Sequence, residues 1–338
     1  MLATYAVLEG ASIGTGMLQY VVGKTDAERR MVIAAIGPLW SWNEVWLVSF
    51  GATLFMAFPT VFAASFAGFY LAFFLVLWAL IVRGMAIEVS GHLDDPMWRT
   101  AWHVAFVAAN IVLAILIGAA LGNLARGVPL GADGKCSMAF FTHFGVRGDV
   151  GILDWYTISL AIFFAATFAA HGATALVLKT EGVLNSRSLA LAQRLWMLVP
   201  ALAILVSVET WFVRSDLLSG MVHQPIAWLG LLMSLAGLGT VWTGLRFRRE
   251  PQAAIGSSAF IAGLIAAGSA GSFPVMLRST LGDNYSLTAY QSAAGGYGLA
   301  VAAVWWPLAL TLSIGYFAFV YWHYRGKVKP PYSAASPY

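Results

Sequence analysis

Ile36-Gly-Pro-Leu-Trp-Ser-Trp-Asn-Glu-Val-Trp46 sets Pro38, Asn43 and Glu44 among three tryptophans, directly ahead of the apolar run 47–58. A carboxylate in such surroundings is costly, about 2.5–3.5 kcal/mol at the centre of a membrane helix on insertion scales. A matching partner or a function is therefore expected for Glu44. One unbroken helix over residues 31–58 would be about 42 Å long at 1.5 Å per residue. The hydrocarbon core of a bilayer is only about 30 Å thick. A break at Gly37-Pro38 is expected, because proline removes a helical hydrogen bond and crowds the preceding turn. Residues 31–36 would then lie along the membrane surface, with Glu44 about 6 Å above the break.

Working outward, the whole chain reads as membrane protein. Its 338 residues are 60% hydrophobic and 10% charged, with a mean hydropathy of +0.77. A soluble chain carries roughly 25% charged residues. The formal charge of +4 and pI of about 9.2 could suggest nucleic-acid binding, but the basic residues fall in short clusters between apolar runs. They serve orientation in a membrane better than a polyanion surface. Cys136 is the single cysteine, which excludes an intrachain disulfide and any multi-cysteine metal or iron–sulfur site.

A span needs roughly 17–25 mostly apolar residues, and nine stretches qualify: 1–22, 40–60, 63–87, 101–123, 154–178, 189–213, 226–245, 254–274 and 298–323. The expected fold is an all-α integral membrane protein of about nine transmembrane helices. Residues 1–325 form one polytopic domain, and 326–338, with Pro330, Pro331 and Pro337, a loose C-terminal tail. Met1 opens directly into apolar sequence without a basic lead or a cleavage site; the start is expected to clip part of the first helix. The glycine-rich stretch 125–153, with Gly127, Gly131, Gly134, Gly145 and Gly148, reads as a structured loop over one face. Fourteen of the nineteen basic residues fall on the side of the loops after helices one, three, five and seven and of the tail. That bias places the C-terminus in the cytoplasm and the N-terminus outside.

The intramembrane polar groups come next. Tyr5, Glu9, Ser12 and Gly16 share one helix face, which should meet protein or water rather than lipid. For Glu9 two readings stand, a packed carboxyl carrying a proton and a proton relay. Glu44, close to Asn43, is either a proton-uptake group or a helix-pairing carboxyl. Arg83 and Glu88 are five residues apart, a poor spacing for a helical pair, and are read as an anchor near the inner surface or a contact to a neighbouring chain. Asp154 is expected to cap a helix, and Arg214 to neutralise Glu209. His103 and His171 raise haem ligation against the plainer reading of satisfied structural histidines. No phosphate-binding loop, dinucleotide fingerprint, metal cluster or nucleophile elbow is present.

An ordered set of short motifs then adds a resemblance. Gly14-Thr-Gly-Met-Leu18, Thr25-Asp-Ala-Glu-Arg-Arg30, Ile36-Gly-Pro-Leu-Trp40, Asn43-Glu-Val-Trp46 and Ala57-Phe-Pro59 occur in sequence. Phe66-Ala-Gly-Phe-Tyr70, Arg83-Gly84, Gly122-Asn-Leu-Ala-Arg-Gly-Val-Pro129, His171-Gly-Ala-Thr174, Thr180-Glu-Gly182 and Phe273-Pro-Val-Met276 follow. Together they resemble subunit II of the cytochrome bd-type quinol oxidases, a family that includes the cyanide-insensitive oxidases. The resemblance implies two four-helix bundles plus a peripheral helix in a bacterial inner membrane. It implies a homologous partner, subunit I, carrying haem b, haem d and the quinol-oxidising loop, and in some members a small single-helix subunit. Quinol would be oxidised and dioxygen reduced to water with protons drawn from the cytoplasm. This chain itself would bind no haem and no metal, although some members hold a structural quinone. Of the family's proton-pathway carboxylates, the one in helix one corresponds to Glu9, where Asp is more usual. A second falls at Ser41, with Trp42 in place of Gly, and a third position is Ser12. Glu44, one turn from Ser41, is the expected substitute. Two other classes remain open: a secondary transporter using Glu9, Glu44 and Glu209 around a helix broken at Pro38, and a stand-alone membrane cytochrome using His103 or His171.

Overall fold

The computed structural model describes residues 1–37, 39–136, 138–142, 144–146 and 149–328. Its helices follow the punctuation of the sequence. Helix α1 (Leu2–Met17) and the single turn α2 (Gln19–Val22) lead to α3 (Asp26–Ile36). Thr25 and Glu28 start α3 with a reciprocal capping box, which satisfies donors that the first turn would otherwise leave unpaired. α3 meets α4 (Leu39–Ala57) at a bend of 42°. The break is where it was expected; Pro38 itself lies outside the described residues.

The next expected pair of spans, 40–60 and 63–87, is cut differently. Pro59 opens a separate helix, α5 (Pro59–Gly68), and α6 (Tyr70–Val89) begins after Phe69. Proline suits a first helical position and disfavours helical backbone in the residue before it, so α4 ends before Phe58. Asp95 caps α7 (Pro96–Arg126), its carboxylate accepting from the N–H groups of Met97 and Trp98. The remaining helices are α8 (Trp155–Lys179), α9 (Gly182–Val213), α10 (Ser215–His223), α11 (Pro225–Arg246), α12 (Glu250–Ser272) and α13 (Gly296–His323). A short antiparallel pair, β1 (Val275–Leu277) and β2 (Leu287–Thr288), lies between the last two.

Among the described residues seven helices are long and apolar enough to cross a membrane, and the bent pair α3 and α4 makes an eighth. α1 is shorter than these: its 16 residues give about 24 Å at 1.5 Å per residue, and counted with them it makes the ninth helix. Yet α1 is deeply enclosed, packed against α4, α7, α8 and α12. With α4, α6 and α7 it forms one bundle; α8, α9, α11 and α12 form the other, and α8 joins the two. The bundles touch where Gly14 of α1 crosses Gly172 of α8, so closely that a side chain on either would strike the other's backbone. Thr15 Oγ1 donates to Gly172 O at 3.2 Å across the same crossing. α11 and α12 pack through Gly230, Gly237 and Gly244 against Gly256 and Gly263, the close backbone approach typical of membrane helices. α13 is peripheral and rests on α4 through Trp42–Tyr316 and Trp46–Phe317 ring contacts.

One face of the protein carries the 127–153 segment, ordered by bridges between Leu130 and Cys136, Phe141 and Leu153, and Val128 and Ser279; Gly148 and Arg147 lie outside the described residues. The opposite face carries α3 and the end of α13. There the start of the tail is bound rather than loose: Lys327 Nζ donates to Thr180 O and to Glu250, and Val328 N donates to Lys179 O. Lys329, Pro330, Pro331 and Pro337 lie outside the described residues.

Candidate functional site

The polar groups singled out on α1 and α4 converge on one arginine. Tyr5, Glu9, Ser12 and Gly16 are all buried, as their common face required. α4 brings Asn43 to the same level; its Nδ2 donates to Glu9 Oε2 at 3.0 Å and to Leu8 O at 3.2 Å, and lies 3.4 Å from Ser12 Oγ. From α6 comes Arg83, 0% exposed, its guanidinium paired with Glu9 and lying 3.5 Å from Glu44 Oε1. Gly84 makes this approach possible, because the ring of Trp40 occupies the space where a side chain at 84 would stand. The Arg83-Gly84 dipeptide thus supplies a charge and the room to bring α4 against it.

This overturns the reading of Arg83 as a surface anchor. It does not pair with Glu88, which is exposed one turn and a half further along α6. A guanidinium in the interior is tolerated only when paired, and the partners are carboxylates on two other helices. The sequence signal was present in the imbalance itself: three charged residues, Glu9, Glu44 and Arg83, each inside an apolar run. Spacing along one helix could not join them.

The set is not closed. Arg83 Nε and Nη2 make no hydrogen bond although they are buried, and the Tyr5 hydroxyl lies beside the Glu44 carboxylate. One guanidinium faces two carboxylates, so the group is neutral only when one carboxyl carries a proton. Glu44 is the outer member, its side chain 21% exposed against 0% for Glu9. Ser41 stands one turn earlier on the exposed side of α4 and is not brought to Glu9. On the other flank, the Tyr321 hydroxyl of α13 donates to Asn43 Oδ1 at 3.2 Å, a contact across 278 residues that no local pattern announces.

The other singled-out residues lie elsewhere. His171 is buried between the bundles, with Nε2 at 2.9 Å from Val7 O and Nδ1 at 2.8 Å from Ser257 Oγ. A carbonyl only accepts, so Nε2 carries the hydrogen and Nδ1 faces the serine. Neither nitrogen is free for a haem iron, and the donor set of this chain does not fit haem there. His103 is buried towards the α3 face of α7. Among the described residues no three His, Cys, Asp or Glu side chains are grouped to hold a metal ion. Glu209 accepts from Ser159 at 3.2 Å. Arg214 does not neutralise it, but turns to Asp216 at 3.2 Å and to Ala125 O at 2.6 Å, where it ties α9 to the end of α7. Asp154 does cap its helix, with Thr157 in a capping box, and also pairs with Arg126. In the loop above, Cys136 packs against Gly68, and burial pushes its thiol up from the ordinary range.

Fold and site together define a polytopic, all-helical membrane protein with a buried arginine–carboxylate centre and no side-chain cage for a metal among the described residues. A family model described as cytochrome bd terminal oxidase subunit II matches residues 1–324, and the chain belongs to that family. It is 27% identical to the cytochrome bd-I ubiquinol oxidase subunit 2 of Escherichia coli (strain K12), over 97% of this chain and 92% of the relative. It is 29% identical to the cytochrome bd ubiquinol oxidase subunit 2 of Bacillus subtilis (strain 168), over 95% and 91%. A chain of the solved bd oxidase from Geobacillus thermodenitrificans shares the fold, with a TM-score of 0.70 at 16% identity over 96% of both chains. Membership sets aside the stand-alone transporter, and the engagement of His171 sets aside haem ligation by that residue.

Proposed function

We propose that the chain works as subunit II of a complex that oxidises quinol and reduces dioxygen to water, and that the Glu9–Arg83–Glu44 group handles protons for it. The relatives that it matches nearly end to end are named as subunit 2 of ubiquinol oxidases, and a second subunit implies a first. That partner is a homologous subunit I with haem b and haem d, which supply the electron transfer and oxygen chemistry when bound. The observation that carries the proton reading is the buried ratio of two carboxylates to one guanidinium. An unpaired buried charge is strongly penalised, so the group takes up one proton to be neutral, and either carboxylate beside Arg83 can carry it. Glu44 receives the proton at the more open side; Glu9, on the other side of the same guanidinium, holds it inside.

The orientation that fits is the one the basic residues favour, with the α3 face in the cytoplasm. Arg83 leaves the inner tally now that it is buried in the site, and thirteen against five still point the same way. The α3 face then supplies the protons, past Ser41 to Glu44. Glu44→Gln tests this: the complex should assemble with its haems and consume oxygen more slowly, by roughly a hundredfold if Glu44 is the sole relay, the lower range for a positioned proton-transfer group. A variant that respires at the normal rate would sink the proton reading and leave the chain as a scaffold for subunit I.

A further inference from the structure

α13 is the least embedded of the helices, yet it reaches the buried site. The Asn43 amide has a fixed orientation: Leu8 O can only accept, so the NH2 group points at α1 and Oδ1 points at α13. Tyr321 is then the donor, at 3.2 Å. Asn43 is fully buried, so without Tyr321 its oxygen has no partner there and nothing keeps the NH2 group on Glu9 and Ser12. One turn further on, Tyr324 lines a cavity of about 70 Å³ together with Ile36, Gly37, Leu39, Lys179 and Lys327, directly beneath the bend between α3 and α4. Such a volume accommodates at least two waters, each occupying about 30 Å³ in the liquid. The same end of α13 is clasped to the second bundle, Lys179 Nζ donating to Tyr324 O at 2.7 Å and Lys327 to Glu250.

We propose that Tyr321 is a positioning residue for Glu9: by donating to Asn43 Oδ1 it holds the amide hydrogens on the Glu9 carboxylate, and it couples that carboxylate to the cavity that the last turn of α13 lines at the α3 face. The proposal rests on the proton-handling reading of the site and adds to it a residue and an approach. The groups that face Glu9 are Arg83 from α6, Asn43 and Glu44 from α4, Tyr321 from α13 and, on its own helix, Tyr5 and Ser12. The others stay in place when only the Tyr321 hydroxyl is removed, and a variant that removes Asn43 separates the effect carried by the amide from the direct effect of the hydroxyl.

The test uses the intact oxidase complex with Tyr321→Phe, followed by infrared difference spectra across pH and by quinol-driven oxygen consumption. The Glu9 carboxyl band is assigned by its loss in Glu9→Gln. Tyr321→Phe should move the pH at which that band appears and slow turnover by roughly two- to tenfold, the range of one hydrogen bond, with haem content unchanged. Asn43→Ala, which also removes the direct bond to Glu9, should have at least as large an effect, and the double variant should be no worse than Asn43→Ala, since Tyr321 positions Glu9 by way of Asn43. A Tyr321→Phe complex with the native band and native pH profile overturns the positioning role, even where Glu9→Gln is slow and the proton reading survives. Conversely, normal turnover in Glu9→Gln removes the proton reading, while the band in Tyr321→Phe still decides whether Tyr321 positions Glu9. Should Tyr321→Phe not assemble, Tyr321→Gln, which keeps a donor, and Tyr321→Leu, which does not, supply the same infrared readout: a native band in the first with a displaced band in the second supports the role, and the same band in both overturns it.

Discussion

Of the three arginines buried beside carboxylates among the described residues, Arg83, Arg126 and Arg214, the first two stand at opposite ends of this protein and are held in opposite ways. Arg126, next to the loop face, pairs with Asp154 one to one. Its Nη2 donates to Asn123 Oδ1 at 2.7 Å and Gly151 O at 2.9 Å, and Asp154 also accepts from the N–H of the helix it caps. Arg83 faces two carboxylates, with its Nε and Nη2 lacking hydrogen bonds. A balanced, satisfied pair fixes the end of a helix and has nothing to exchange. An unbalanced group is neutral with one proton that either carboxylate can hold, which is what the proton-handling proposal uses. On that proposal the ratio of charges, rather than their burial alone, separates the two arginines.

Removing each arginine–carboxylate contact in turn is the way to break this comparison. The largest effect is expected from Arg83→Met, which leaves two carboxylates inside without a cation. Breaking a buried pair from one side costs about 3–5 kcal/mol, so the yield of assembled complex and its thermal midpoint should fall sharply, and the surviving complex should be slow. A nearly normal melting curve would show that Arg83 is not the counter-charge of the site. Asp154→Ala ranks next. It removes a helix cap, worth about 1 kcal/mol, and a charged hydrogen bond, worth about 1.5–3 kcal/mol. Arg126 keeps its two carbonyl-type acceptors, so the melting point should drop while turnover per assembled complex stays unchanged. Slow turnover at normal stability would put the loop-face pair in the same class as Arg83 and dissolve the contrast.

Residues that local rules govern are the legible ones. Asp154 caps a helix as expected, and Thr25, Asp95 and Pro225, not singled out beforehand, start helices by the same rules. The face of Tyr5, Glu9, Ser12 and Gly16 is buried as its period requires, and the bend falls between Ile36 and Leu39. What could not be read is pairing between helices. Arg83 was weighed against Glu88, its neighbour along the chain, because spacing is the only geometry that a single sequence offers. Its real partners, Glu9 and Glu44, stand 74 and 39 residues away. Tyr321 was invisible for the same reason. The cut at Phe69 shows the other limit: residues 66–82 carry no charge and are almost wholly apolar, so nothing in their hydropathy signals where one helix stops and the next begins.

The smallest expected effect comes from Glu209, and it sharpens the comparison most finely because this carboxylate has no arginine at all. It is half-buried near the loop-face end of α9, accepts one hydrogen bond from Ser159, and leaves its second oxygen without one. Arg214, the nearest candidate by sequence, is committed to Asp216 and Ala125 O. Gln at 209 keeps the acceptor for Ser159 and discards only the charge. If a carboxylate needs an unbalanced cation to work as a carrier, Glu209→Gln should change stability by no more than about 0.5 kcal/mol and leave oxygen consumption and its pH profile as they were. Slowing comparable to that of Glu44→Gln would mean that a lone half-buried carboxyl suffices, and the charge ratio around Arg83 would lose its standing as the mark of the site.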